Sequence, residues 1–87
     1  PLELAERICQ KLIELDVNPD VIVEPTCGVG NFIEASSRLF QSTNKIIGIE
    51  LNPHYIQKIR TKKQFLQDKR IELKHADFFQ FDWRSLV

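Results

Sequence analysis

Val21-Ile22-Val23-Glu24-Pro25-Thr26-Cys27-Gly28-Val29-Gly30-Asn31-Phe32, residues 21–32, decides the fold. Three β-branched residues in a row, with no polar alternation, read as a short strand buried on both faces. An acid closes the run and two glycines make a loop. Asn31 to about Phe40 then reads as a helix with Phe32, Ile33, Leu39 and Phe40 on its apolar side. Strand, glycine loop and helix open many ligand-binding α/β units, in which the loop backbone approaches the ligand.

The flanks extend this unit. Upstream, Leu4, Ile8, Leu12 and Leu15 recur at three- and four-residue spacings, so Pro1 to Leu15 is expected to be an amphipathic helix packed through those leucines and the isoleucine. Pro1 suits a first helical turn, and Asp16-Val17-Asn18-Pro19-Asp20 supplies a turn. Cys9 is expected to be partly buried on this helix. Downstream, Ile46-Ile47-Gly48-Ile49 reads as a second buried strand ending at Glu50. Asn52-Pro53 is a cap followed by a first-turn proline, opening a helix with Ile56, Ile59 and Leu66 on its buried face. Its basic residues Lys58, Arg60, Lys62 and Lys63 read as a solvated face. Ile71-Glu72-Leu73-Lys74 alternates as a half-exposed third strand.

Alternating helices and strands imply α/β architecture: a parallel sheet with right-handed crossovers and helices on its faces. Glu24, Glu50 and Asp77 each fall at or just past the carboxyl end of a strand. Ligands of open α/β sheets bind along that edge. Three acids from three strands are therefore expected on one rim.

The ligand is narrowed by what the loop lacks. A dinucleotide fingerprint needs a third glycine, but Ile33 stands in its place. A triphosphate loop needs Gly-Lys-Ser/Thr, which is absent. Glu24 puts an anion where phosphate would sit. It suits a ligand with a positive centre or with hydroxyl and ammonium donors. Glu50 can accept from both hydroxyls of a ribose, and Asp77 from the exocyclic amine of adenine. A molecule with an amino-acid end, a ribose and an adenine meets all three, and S-adenosyl-L-methionine is such a molecule.

At these residues the chain resembles the cofactor half of class I S-adenosylmethionine-dependent methyltransferases, and more narrowly the N6-adenine DNA methyltransferases. The family's (D/E)-P-(S/T/A)-x-G-x-G-x-F motif is similar to Glu24-Pro25-Thr26-Cys27-Gly28-Val29-Gly30-Asn31-Phe32 in order and spacing. Its acid after the second strand is similar to Glu50 in Ile49-Glu50-Leu51-Asn52-Pro53. Its Asp-Phe pair after the third is similar to Asp77-Phe78. Pro1-Leu2-Glu3-Leu4-Ala5 resembles the Pro-containing helix that precedes the family's first strand. Thr26 departs from the broader family, which has glycine there, toward the amino-methylating subset. The resemblance covers essentially the whole chain. It implies a Rossmann-like three-layer αβα fold with a partial parallel sheet in strand order 3-2-1. It also implies cofactor contacts from Glu24, Pro25, Thr26, Cys27, Gly28, Gly30, Asn31, Phe32, Glu50, Leu51, Asp77 and Phe78.

The family's catalytic (N/D/S)-P-P-(Y/F) motif follows the fourth strand, and this chain has no Pro-Pro pair; its prolines are Pro1, Pro19, Pro25 and Pro53. The resemblance therefore implies a part truncated before the catalytic motif, binding cofactor and transferring no methyl group alone. DNA would be met through other parts of a parent chain, such as a restriction–modification enzyme. The first strand's unpaired edge is expected to invite self-association. An RNA or protein acceptor, a non-catalytic cofactor-binding module and a nicotinamide-binding oxidoreductase stay open as alternatives.

Composition sets outer bounds. The 87 residues hold 12 Lys+Arg and 12 Asp+Glu, so no overall basic charge marks a free-standing nucleic-acid binder. Two cysteines, Cys9 and Cys27, make no metal-spaced or disulfide framework and point to a reducing cytoplasm. No membrane-spanning stretch or signal peptide is expected. Plainer roles stand beside the sharp ones. Glu24 can simply end a strand, Glu50 can be a surface acid and Asp77 a turn cap. Cys27 reads as a small loop residue, since no base accompanies it. His54 and His75 are isolated and read as structural or exposed. Phe78, Phe79, Phe81 and Trp83 read as packing, with Phe78 flanking adenine if the resemblance holds.

Overall fold

A computed structural model of the chain describes residues 2–25, 28, 30–77 and 80. The expected roles of Pro1, Thr26, Cys27, Phe78, Phe79, Phe81 and Trp83 lie outside the described residues. The elements run α1 (Leu2–Glu14), β1 (Val21–Glu24), α2 (Asn31–Leu39), β2 (Lys45–Glu50), α3 (Pro53–Arg60), α4 (Lys63–Gln67) and β3 (Ile71–His75).

The three strands form one parallel sheet in the order β1-β2-β3. Register pairs Ile22 with Ile46, Glu24 with Gly48, Ile46 with Ile71, and Glu50 with His75. Parallel neighbours require a crossover; α2 supplies the first, and α3 with α4 the second. Partners in register share a face, so Ile22, Ile46, Ile71 and Leu73 stand on one side of the sheet. Ile33 of α2, Ile59 of α3 and Phe65 of α4 pack against them. A second cluster joins Ala5 and Cys9 of α1 to Ala35 and Phe40, with Ile22 against it. The described helices therefore cover one face. Of the three expected layers, two are present among the described residues. The other face carries Val21, Val23, Lys45, Ile47, Ile49, Glu72 and Lys74.

Three local expectations are corrected. On α1 the buried residues are Ala5 and Cys9, while Leu4, Ile8 and Leu15 are 54%, 42% and 65% exposed. Ala5 and Cys9 form the fully buried part because they meet Ala35, Ser36 and Phe40 where the two helices approach closely, with Leu2 and Leu12 packed partly buried beside them. β1 is not buried on both faces. Val21 is exposed, and among the described residues only β2 pairs with this strand. The third helix is not continuous to Leu66. It stops at Thr61, whose hydroxyl and N–H both turn back to the Lys58 carbonyl, and Lys62 is extended. Such local hydroxyl bonding competes with helix continuation. The break rotates the following turn, so that Phe65 packs on the core and Leu66 is 60% exposed.

Candidate functional site

The carboxyl ends of the strands carry the acids that the sequence singled out. Glu24 is the last residue of β1 and Glu50 the last of β2. The ladder runs one step past β3, where the Ala76 N–H donates to the Glu50 carbonyl at 3.1 Å, and Asp77 follows. Adjacent strands lie about 4.8 Å apart, so the three ends span on the order of 10 Å. A mononucleoside-sized ligand fits that span.

Glu50 is the best-defined member. Its Oε1 accepts from the Gly28 N–H at 2.7 Å, and its Oε2 accepts from the Asn52 N–H at 2.9 Å. One carboxylate thereby joins the glycine loop to the β2–α3 loop. Each oxygen retains a lone pair, so the group can still accept two further hydrogen bonds. Beside it, Leu51 is 63% exposed. The Leu51 carbonyl lies 2.8 Å from His75 Nε2, which ties this loop to the end of β3. Asn52 caps α3, its side chain accepting from the His54 N–H at 2.9 Å, and Pro53 takes the first turn. His75 is thus structural in the sense expected. His54 is exposed, and its backbone N–H is engaged by the Asn52 side chain.

The two loop glycines serve different ends. Gly28 has φ 55°, and a Cβ there would meet nothing within 4 Å. Gly30 has φ 86° and precedes α2; a Cβ there would sit 2.9 Å from Ile59 Cγ1. Gly28 therefore keeps its amide turned to Glu50 beside open space. Gly30 lets α2 start hard against α3, a need that exists without any ligand. Pro25 occupies the turn after Glu24, and Asn31 begins α2. Phe32 packs against the Ala5–Cys9–Ala35–Phe40 cluster.

A polar network away from the rim escaped the sequence reading. Arg70 donates to the Phe40 and Thr43 carbonyls (2.7 and 2.9 Å), to the Ser37 carbonyl (2.7 Å) and to both oxygens of Asp68 (3.0 and 2.7 Å). Ser37 Oγ bonds Asp68, and Gln64 donates to Ser37 Oγ at 2.7 Å. The guanidinium hydrogen bonds hold the Asp68 carboxyl down at about 2. The same pairing raises Arg70. This cluster closes the carbonyl end of α2 and fastens it to the turn before β3. Its groups satisfy one another, so it reads as structure. The only advance signal was an acid two residues before an arginine, which is too common to act on. Cys9 is buried and free, its thiol pushed up by burial, with Ser36 Oγ 3.8 Å away.

A hollow of about 400 Å³ lies away from the rim. It lies at the opposite end of the sheet, between Ile13–Asn18 and Leu39–Ser42. It is an open groove where two helices end, and Asp16 is its one charged lining residue.

Fold and rim together define an α/β unit that carries a glycine loop and three acids at the carboxyl edge of a parallel sheet. The chain is 56% identical over all 87 residues to the Type II methyltransferase M.NspV of Nostoc sp.. It spans 18% of that protein's length. The resemblance to methyltransferases read from the sequence thus has a counterpart in a named enzyme. No family model matches the chain. Among the described residues no helix is long and apolar enough to cross a membrane.

Proposed function

We propose that this chain is the S-adenosyl-L-methionine-binding part of a DNA methyltransferase specific for adenine N6, acting in the cytoplasm within a restriction–modification system. The observation that carries the reading is the placement of Glu24, Glu50 and Asp77 at three neighbouring strand ends, with Glu50 bonded to the glycine loop. The identity to a Type II methyltransferase supports the activity class of the parent protein.

The residues fit the cofactor. Glu50 has two unused lone pairs for two ribose hydroxyls. Leu51 offers an exposed apolar surface to one face of an adenine ring. Asp77 accepts from the adenine amine, and Phe78 flanks the ring. Glu24 and the loop of Pro25, Thr26, Cys27, Gly28, Gly30, Asn31 and Phe32 take the amino-acid end. When bound, the cofactor supplies an electrophilic methyl on a sulfonium. In this reading the 87 residues bind and orient that donor and hold no catalytic residue. The adenine N6 lone pair is delocalised into the ring, so the acceptor must be positioned by a motif found elsewhere in the parent. A duplex target must also be flipped out of its stack. The half-sheet would form the 3-2-1 side of the methyltransferase sheet, with β1 central. Its open edge would draw a second copy when the chain is studied alone; a monodisperse monomer in sedimentation would contradict that.

A nicotinamide dinucleotide is disfavoured because the Gly28 N–H is already taken by Glu50. Calorimetry decides between the two cofactors. The expected result is heat with S-adenosylmethionine and none with NAD, and binding at least about tenfold weaker in Glu50→Ala, from loss of charge-assisted hydrogen bonds. Unchanged affinity in both Glu50→Ala and Asp77→Ala sinks the reading.

A further inference from the structure

We infer that Glu50 is a built-in anion that holds the glycine loop at Gly28 through bonds within the chain itself, and that it selects against phosphate-bearing ligands at that amide. In phosphate-binding loops the backbone N–H groups after the strand point at the ligand's anionic oxygens. Here the corresponding donor, the Gly28 N–H, is 2.7 Å from Glu50 Oε1. The second oxygen is held by the Asn52 N–H at 2.9 Å, so the carboxylate is fixed from two sides. Neither bond involves a ligand. Asn52 is itself fixed as the cap of an eight-residue helix, α3, and the preceding Leu51 carbonyl is 2.8 Å from the His75 ring. The anion therefore has an anchor outside the loop it organises: it stands at the end of β2 and is held by the Asn52 N–H at the cap of α3.

Two consequences follow. The left-handed turn at Gly28, φ 55°, is stabilised by a bond within the chain, so less ordering is left for a ligand to bring about. A phosphate approaching the loop would meet a carboxylate with its donor already engaged. Like charges in contact repel, so the site selects ligands that bring hydroxyl or ammonium donors. Glu50 is in this respect a specificity-determining residue, a role separate from any direct contact with a ribose. The inference deepens the cofactor reading but rests on bonds within the ligand-free chain, so the two can fail independently.

The experiment is amide NMR on the ligand-free chain and on Glu50→Ala. The expected result is that the Gly28 and Asn52 amides exchange at least about tenfold faster in the variant, the factor that follows from losing about 1.4 kcal/mol of hydrogen bonding. The amides of Ile47 and Ile49 should be unchanged. Equal Gly28 exchange in both chains overturns the inference. Should the variant not fold, the wild-type chain decides alone. A through-hydrogen-bond coupling between the Gly28 nitrogen and the Glu50 carboxyl carbon supports the clamp, and its absence overturns it. Titration with inorganic pyrophosphate tests exclusion. The Gly28 amide resonance should move in Glu50→Ala and stay fixed in the wild type. Equal movement in both, or none in either, overturns the exclusion.

Discussion

Replacing Arg70 with Met keeps the length of the side chain and removes every hydrogen bond it makes. Backbone carbonyls at and beyond the end of α2, those of Ser37, Phe40 and Thr43 among them, each lose a donor, and Asp68 loses its counter-charge. The Asp68 and Arg70 side chains are 11% and 23% exposed, so water repairs little of the damage. Breaking one side of a buried pair costs about 3–5 kcal/mol, and the residual exposure places this case at about 3. A chain of this size has a total stability of about 4–13 kcal/mol. With a urea slope of about 1 kcal/mol per molar, the midpoint should fall by about 3 M. The acid limb gives an independent check. The Asp68 carboxyl sits at about 2 in the folded chain, against an ordinary 3.8. Its folded value is depressed, so its contribution is fully present above about pH 4 and is lost as pH falls through 2. That contribution is about 2 kcal/mol. In Arg70→Met the part of the acid sensitivity between pH 4 and 2 should largely vanish. A urea midpoint within about 0.5 M of wild type, or an unaltered acid limb, would refute the reasoning.

Other expectations are simpler. Gly30→Ala forces a left-handed conformation and a 2.9 Å approach to Ile59, so it should destabilise by at least about 2 kcal/mol in urea melts, whether or not cofactor is present. Ala5→Leu should overpack the α1–α2 contact by about 1–3 kcal/mol, whereas Leu4→Lys, at an exposed site, should shift stability by less than about 0.5. Phe65→Ala should cost about 3 kcal/mol and Leu66→Ser almost nothing, read by the same melts. Reversal of that last ranking would mean that α3 and α4 form one helix after all.

The strands were legible because their signals are local. Runs rich in β-branched residues and closed by acids placed β1 and β2 within a residue, and alternation placed β3. The Asn52-Pro53 cap was legible for the same reason. The errors came where tertiary contact chose between equal local options. Periodicity on α1 offered a wide apolar stripe, and only the contact with Ala35, Ser36 and Phe40 made Ala5 and Cys9 its fully buried part. Nothing in Thr61 alone announced that its hydroxyl would end α3. At the site, strand-end position in the sequence is enough to set Glu24, Glu50 and Asp77 along one edge of the sheet. What the sequence could not supply was the partner of each acid. The bond from Gly28 to Glu50 spans 22 residues and depends on strand register. Gly30, read as a cofactor contact, also lies so near Ile59 that an added Cβ would stand 2.9 Å from its Cγ1. The Arg70 network joins residues 27 to 33 positions apart, with no motif to mark it.

The central claim is that the cofactor sits on the carboxyl edge of this sheet. Backbone shift mapping with S-adenosylmethionine tests it most directly. The account predicts that the amides of Gly28, Glu50, Leu51 and Asp77 move together and saturably, while those of Asp16–Asn18 and Gln41–Ser42 around the 400 Å³ groove stay fixed. Shifts confined to that groove, or no saturable shift at the rim, would contradict it.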